Sequence, residues 1–266
     1  MEKRIQIVLL AVVLMAGVSL LGDVLPFRIS DTAYAYPRYG KNCAACHTSR
    51  GSSKGFTDSF MLEECEGFSS TGSNPYFVLE PGHQLILEGE EKKHVIHVTI
   101  TVLDEEKTIS TTEVGDVVTR VVEETESKDG LMSEVSRNYF AICNRTNSVF
   151  YFGEDVDIYD KTGTTVVSHE GAWLAGVDDA RPGIVMPGVI LLGGKYFQEV
   201  APGVAMDRAE IISIKEVVET PKGTFENCLK TRETTPLEPG KEFKFYAPGI
   251  GIIKDANLRL TEYTVP

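Results

Sequence analysis

Five consecutive residues, Cys43-Ala44-Ala45-Cys46-His47, carry the most chemistry in this sequence. Two thiols held a short turn apart can add to the two vinyl groups on one edge of a porphyrin. The imidazole that follows is then delivered to the iron as its proximal axial ligand. C-x-x-C-H is accordingly the attachment signature of a c-type haem. With 5 Cys and 5 His in 266 residues, a chance match is expected in only about one or two such chains per thousand. Other chemistries fit less well. A redox dithiol wants a βαβ context that the flanking sequence lacks. Zinc could draw on Cys43, Cys46, Cys65 and a histidine, but the adjacent Cys46 and His47 are awkward ligands for one tetrahedral ion, and no second C-x-x-C follows. The expectation is one covalent haem c on Cys43 and Cys46, with His47 on the iron.

The sixth iron ligand has several candidates. Met61, between Phe60 and Leu62, is close in sequence and could sit over the haem. His94 and His97 fall on an expected strand at odd spacing, which sends them to opposite faces. His83 follows Pro81-Gly82 in a turn, and nothing brings His169 near the haem segment. An open or water-bound iron is the remaining option. Cys65, Cys143 and Cys228 allow one disulfide with one thiol over, and the sequence does not give the pairing. Glu199, Asp207 and Glu210 gather around Arg208, but without a histidine or nucleophile they read as a solvated loop. No Ser/His/Asp arrangement, phosphate loop or dinucleotide fingerprint occurs, so the chain reads as an electron carrier rather than a catalyst.

These residues need an exported setting and a scaffold. Glu2-Lys3-Arg4 precede an 18-residue run, Ile5 to Gly22, interrupted only by Gln6 and Ser19. Ala33-Tyr34-Ala35 is a small-x-small site of the kind a signal peptidase accepts. Residues 1–35 are therefore expected as a signal peptide, or as an N-terminal anchor that tethers the chain to the membrane through residues 5–22. Covalent haem attachment takes place on the exported side in bacteria, so leader and motif point to the same periplasmic or extracytoplasmic location. The formal net charge of −13 makes nucleic acid a poor partner and suits a basic redox partner protein.

Residues 36–74 are expected to form the haem-attachment segment, with Thr57 capping a short helix over Asp58–Glu64 and Ser69–Asn74 as a linker. Residues 75–266 read as a mainly β domain, an antiparallel meander. Val95, His97, Thr99 and Thr101 alternate with Ile96, Val98, Ile100 and Val102 ahead of an expected turn at Asp104–Lys107. Further strands are expected at Val117–Glu124, Glu134–Cys143, Val149–Tyr159, Ala209–Glu219, Phe225–Thr234, Glu242–Tyr246 and Ile250–Tyr263. Between the halves lies the Gly/Pro-rich stretch Gly171–Gly203, which holds the sole tryptophan, Trp173.

The stretch from about Val166 to the end resembles a family of uncharacterised bacterial exported proteins. The resemblance rests on Gly171-Ala172-Trp173-Leu174-Ala175-Gly176, Arg181-Pro182-Gly183, Met186-Pro187-Gly188 and Tyr196-Phe197-Gln198-Glu199. It continues through Pro221-Lys222-Gly223-Thr224-Phe225-Glu226-Asn227-Cys228, Thr234-Thr235-Pro236-Leu237-Glu238-Pro239-Gly240 and Tyr246-Ala247-Pro248-Gly249-Ile250-Gly251. It implies an exported, β-rich module and brings no chemistry. The last of these turns is also similar to those of periplasmic half-barrel proteins, in which a sheet curls around a helix or ligand, an analogy of fold alone. The haem segment resembles c-type cytochromes through Cys43, Cys46 and His47 only.

Two functions are compatible with this sequence. One is a monohaem electron-transfer protein whose β domain covers the haem or docks partners. The other is a haem-based ligand-binding or sensing module with a half-barrel pocket.

Overall fold

The computed structural model describes residues 55–266. The attachment motif at Cys43, Cys46 and His47, and the leader with its apolar run 5–22, lie outside the described residues. The described chain is mainly β and antiparallel, as the alternation of its strands requires.

Among the described residues a 3-10 turn, Leu62–Cys65, comes first and is followed by β1 (Phe68–Ser69), β2 (Gly72–Asn74) and β3 (Phe77–Leu79). A long meander comes next: β4 (Gln84–Glu91), β5 (His94–Thr111), β6 (Gly115–Lys128), β7 (Leu131–Cys143) and β8 (Val149–Tyr159). Short strands then fill the Gly/Pro-rich stretch: β9 (Val166–Ser168), β10 (Trp173–Leu174), β11 (Arg181–Met186), β12 (Lys195–Phe197) and β13 (Glu199–Val200). A second meander, β14 (Arg208–Thr220), β15 (Gly223–Thr234), β16 (Glu242–Ala247), β17 (Gly251–Asp255) and β18 (Leu258–Thr264), ends the chain.

The two meanders form one sheet because β18 pairs with β4, with Leu260 opposite Leu87. Residues 195–200 then bring its free ends together. On one side β12 pairs with β14, Tyr196 opposite Ala209, and on the other β13 pairs with β11, Glu199 opposite Pro182. The result is a nearly closed, barrel-like sheet, which leaves few unpaired edges. Gly183 marks the seam: a Cβ there would stand 2.5 Å from the backbone of Gln198. That close approach is the physical content of the Arg181-Pro182-Gly183 motif.

Several expectations are corrected. The stretch Asp104–Lys107 is not a turn, since β5 continues to Thr111 and absorbs these residues in a register shift between Val102 and Glu106. The irregularity is held by Arg120, which is buried and donates to the carbonyls of Ser70 and Glu105 at 3.1 and 3.3 Å, and to the Glu106 carboxylate at 3.1 Å. No α-helix forms over Asp58–Glu64. Thr57 is engaged in backbone pairing with Lys195 and Phe197 at 3.0 and 2.8 Å, so only the 3-10 turn remains. Ser69–Asn74 is no free linker: β1 pairs with β7, and β2 with β3.

Candidate functional site

Residues 56–68, near the start of the described chain, lie at one end of the barrel, the entry end. Phe56 packs edge-on against Phe197 at 6.2 Å, with the Arg208 guanidinium 4.6 Å and the Lys195 ammonium 5.7 Å from its ring centre. Phe60 and Phe68 both pack edge-on against Phe150 of β8, at 5.7 and 5.8 Å. Cys65 is bonded to Cys143 at the end of β7, with Cα atoms 4.9 Å apart. Cys228 is the free, buried thiol, pushed up to about 11 by desolvation and by Glu216. The disulfide takes Cys65 out of any zinc set. Among the described residues, no cluster of three or more His, Cys, Asp or Glu side chains is arranged to hold a metal ion.

The described ligand candidates fall in different places. Met61 is 71% exposed beside the 3-10 turn, at this entry end. His83 is buried, and its Nε2–H donates to the carbonyl of Ile250 at 2.8 Å; desolvation lowers its pKa, so it is a neutral structural imidazole. His94 contacts Asp129 at 2.6 Å, and His97 contacts Glu88 at 3.0 Å. His169 contacts Asp157 at 2.9 Å and Val156 carbonyl oxygen at 2.8 Å. Asp129 and Asp157 mark the end of the sheet opposite Cys143, because β7 runs from Leu131 to Cys143. At about 3.4 Å per residue, that strand is about 40 Å long. The distance separates His94 and His169 from the entry end.

The barrel interior carries a cluster of buried charged and polar groups within its apolar core, which the sequence reading missed. Registers put Glu124 opposite Ile100, Glu154 opposite Asn138, and Lys244 opposite Asp255, all on the inward face. Lys244 is fully buried, 2.9 Å from a Glu233 oxygen and 3.6 Å from Asp255. Its two acidic neighbours hold the ammonium in its charged form despite the desolvation that opposes it. Glu124 is pushed up to about 8, and Asp255 to about 8, in each case first by burial. Glu154 and Glu199 are raised well above the carboxylate range by burial and by acidic neighbours. Tyr151 donates to Asn138 at 2.7 Å and packs under Trp173. One lysine cannot neutralise so many acids, so the interior holds protons on carboxyl groups near neutrality.

Glu199 and Asp207 belong to this interior, not to a solvated loop. The Glu199 carboxylate accepts from the Asp207 backbone N–H, and the Gln198 N–H donates to the Asp207 carbonyl at 2.7 Å. Their burial follows from the closing strand, which threads between β11 and β14. Glu210 stays nearer the surface, paired with Arg232 and, at 3.7 Å, with Lys195.

Two concave places accompany these groups. A small apolar cavity of about 30 Å³ lies between Phe77, His83, Leu85, Val102, Tyr246 and Ile252. An open groove of about 460 Å³ lies at the entry end, between the Leu62–Phe68 stretch and the β5–β6 tip, and carries Glu63, Glu113 and Asp116. No helix among the described residues is long and apolar enough to cross a membrane.

The chain matches no protein-family model and no curated protein. Among solved structures it is similar, at 14% identity and a TM-score of 0.33, to a putative lipoprotein from Parabacteroides distasonis ATCC 8503. The match covers 73% of this chain and 100% of that one.

Proposed function

We propose that this chain is an exported monohaem c-type protein that transfers electrons, with the β barrel as a rigid base beside its haem segment. The observation that carries this reading is Cys43-Ala44-Ala45-Cys46-His47, whose donor set suits covalent haem c. Cys43 and Cys46 form the thioether links, and His47 is the proximal iron ligand. The haem supplies one-electron exchange with a partner protein. The Cys65–Cys143 disulfide supports an oxidising, extracytoplasmic compartment. It also ties Cys65, 18 residues after His47 in the sequence, to the end of β7.

A second reading is a haem-based ligand-binding or sensing module. It is favoured by one observation: His83 is buried, while His94 and His169 stand at the far end, so no described histidine offers itself as a sixth ligand at the entry end. Met61 or water is then left for that position.

The test is a pyridine haemochrome spectrum of protein made with a cytochrome c maturation system, beside a Cys43→Ala/Cys46→Ala variant. A covalent c-type spectrum lost in the variant supports attachment, and a wild type without haem ends the proposal. Immediate carbon monoxide binding by the reduced protein selects the sensing reading over electron transfer.

A further inference from the structure

We infer that the outer face of β15–β18 binds a linear acidic polysaccharide, laid along a row of cations that crosses the strands through Lys230, Lys254 and Arg259. The inference is independent of the haem and rests only on the exported location proposed above.

The strand registers build the row. Lys230 of β15 stands opposite Phe245 of β16, Phe245 opposite Lys254 of β17, and Lys254 opposite Arg259 of β18. Neighbouring strands lie about 4.8 Å apart, so the row is about 14 Å long. Lys244 is buried inside the barrel, and by alternation Phe243 and Phe245 point outward. Their rings hold the lysines in place. The Lys230 ammonium lies 4.8 Å from the Phe243 ring centre and 5.1 Å from that of Phe245, and Lys254 lies 4.9 Å from Phe245 on the other side. Lys241 adds a fourth cation, 5.9 Å from Phe243. Arg259 is fixed by donating from Nη1 to the Glu219 carbonyl at 2.8 Å.

Such a row works against the fold. Like charges directly opposite on paired strands repel. Lys254 is shifted down, first by desolvation and then by Arg259 and Lys230. The chain has 39 acidic against 26 basic residues. Even so, among the described residues no carboxylate makes an ion pair with Lys230, Lys241, Lys254 or Arg259. Glu88 stands opposite Arg259 but is engaged by His97 at 3.0 Å. Cations held in line without counter-charges are what an anionic ligand requires.

Shape selects the occupant. The row is a line on an otherwise acidic surface, with Glu88 at its end and Glu262 further along β18. A flat anionic bilayer or a broad acidic protein face would meet those carboxylates too. A slender chain with an anionic group on successive units follows the cations and avoids them. An extended acidic peptide suits the face less well, because the main-chain groups of these strands are used within the sheet and offer it no pairing. A glycan keeps its hydroxyl groups in water and needs only the charges. Nucleic acid belongs on the other side of the membrane from the proposed location.

The experiment measures binding of the full chain to immobilised polygalacturonate at low and at physiological salt. Wild type is compared with Lys254→Gln/Arg259→Gln and with Lys128→Gln/Lys161→Gln, which removes the same charge away from the row. Wild type and the second variant should bind alike and release with salt. The row variant should bind at least about tenfold more weakly, from two lost ion pairs, with a melting temperature unchanged or higher. The Cys43→Ala/Cys46→Ala variant should bind as wild type does, which separates this face from the haem reading. No binding by the wild type at low salt overturns the inference, as does equal weakening in the two charge variants. Preference for phosphatidylglycerol vesicles or single-stranded DNA over polygalacturonate overturns the assigned occupant.

Discussion

Replacing Glu124 by Gln should stabilise the protein at neutral pH and do little in acid. Glu124 is buried against Lys244 and Asp255, and its carboxyl is pushed up to about 8 from an ordinary 4.5, chiefly by burial. In the unfolded chain the same group loses its proton near its ordinary value. Between those two values the native state holds a proton that the unfolded state has released, so stability falls as pH rises. Below about 4.5 both states are protonated, and the contribution is fully present. It is lost as pH climbs through about 8. Within that window one such group changes stability by up to about 1.4 kcal/mol per pH unit, or about 2.7 kcal/mol from pH 5.5 to 7.5. Asp255, pushed up to about 8, and Glu242, pushed up to about 7, add slopes of the same sign. Glutamine has the shape of the protonated acid but no proton to lose. Urea unfolding of the oxidised protein at several pH values between 5 and 8.5 measures both curves. The wild type should weaken steadily across the range, with the Gln variant matching it near pH 5.5 and exceeding it by about 2–3 kcal/mol at pH 7.5. Parallel curves, or a wild type that gains stability over this interval, would refute the reasoning.

Opening the disulfide with Cys65→Ser/Cys143→Ser frees a loop with a sequence separation of 78. The chain-entropy relation gives about 4.5 kcal/mol for such a loop, or a fall in Tm of about 10 °C by calorimetry. Lys244→Met strands the Glu233 carboxylate in the barrel, since that oxygen lies 2.9 Å from the ammonium. Denaturant unfolding at pH 7 should show a loss of about 3–5 kcal/mol, and a loss below about 1 kcal/mol would mean that the lysine is not the counter-charge of the interior.

The sheet was largely legible in the sequence because its long strands alternate. Val149–Tyr159 is recovered to the residue, and the expected Phe225–Thr234 differs from β15 only at its start. Ile250–Tyr263 divides into two strands at Ala256, which takes a positive φ of 46°. What failed did so for local reasons. Asp104–Lys107 has turn composition, yet a buried arginine from the next strand stabilises an irregular strand there. Barrel closure was hidden because β10 to β13 are two to six residues long, too short to show a period. The interior acids were hidden because Glu124 and Glu126 sit in the Thr/Glu-rich run Thr119–Lys128, which looks like a solvent face on either register. Only the pairing of Ile100 with Glu124 and Val98 with Glu126 shows that they point inward. The cysteine pairing likewise depended on β1 lying alongside the end of β7.

The composition of the barrel interior also bears on which functional reading the fold serves. A half-barrel that carries an apolar compound needs a dry, roomy lumen. Here the interior is filled: Leu87, Val98, Ile100 and Val122 share it with buried Lys244, Asp255, Glu124 and Glu154, and the apolar cavity beside β3 is about 30 Å³. That is room for a guest of about water size. An apolar ligand in the lumen would have to displace paired acids and a buried ammonium, whose separation costs several kcal/mol per ion. The packed interior therefore speaks against the pocket of the sensing reading. On the proposed reading the barrel would act as a stiff base, and electron exchange would be left to a group carried on Cys43 and Cys46.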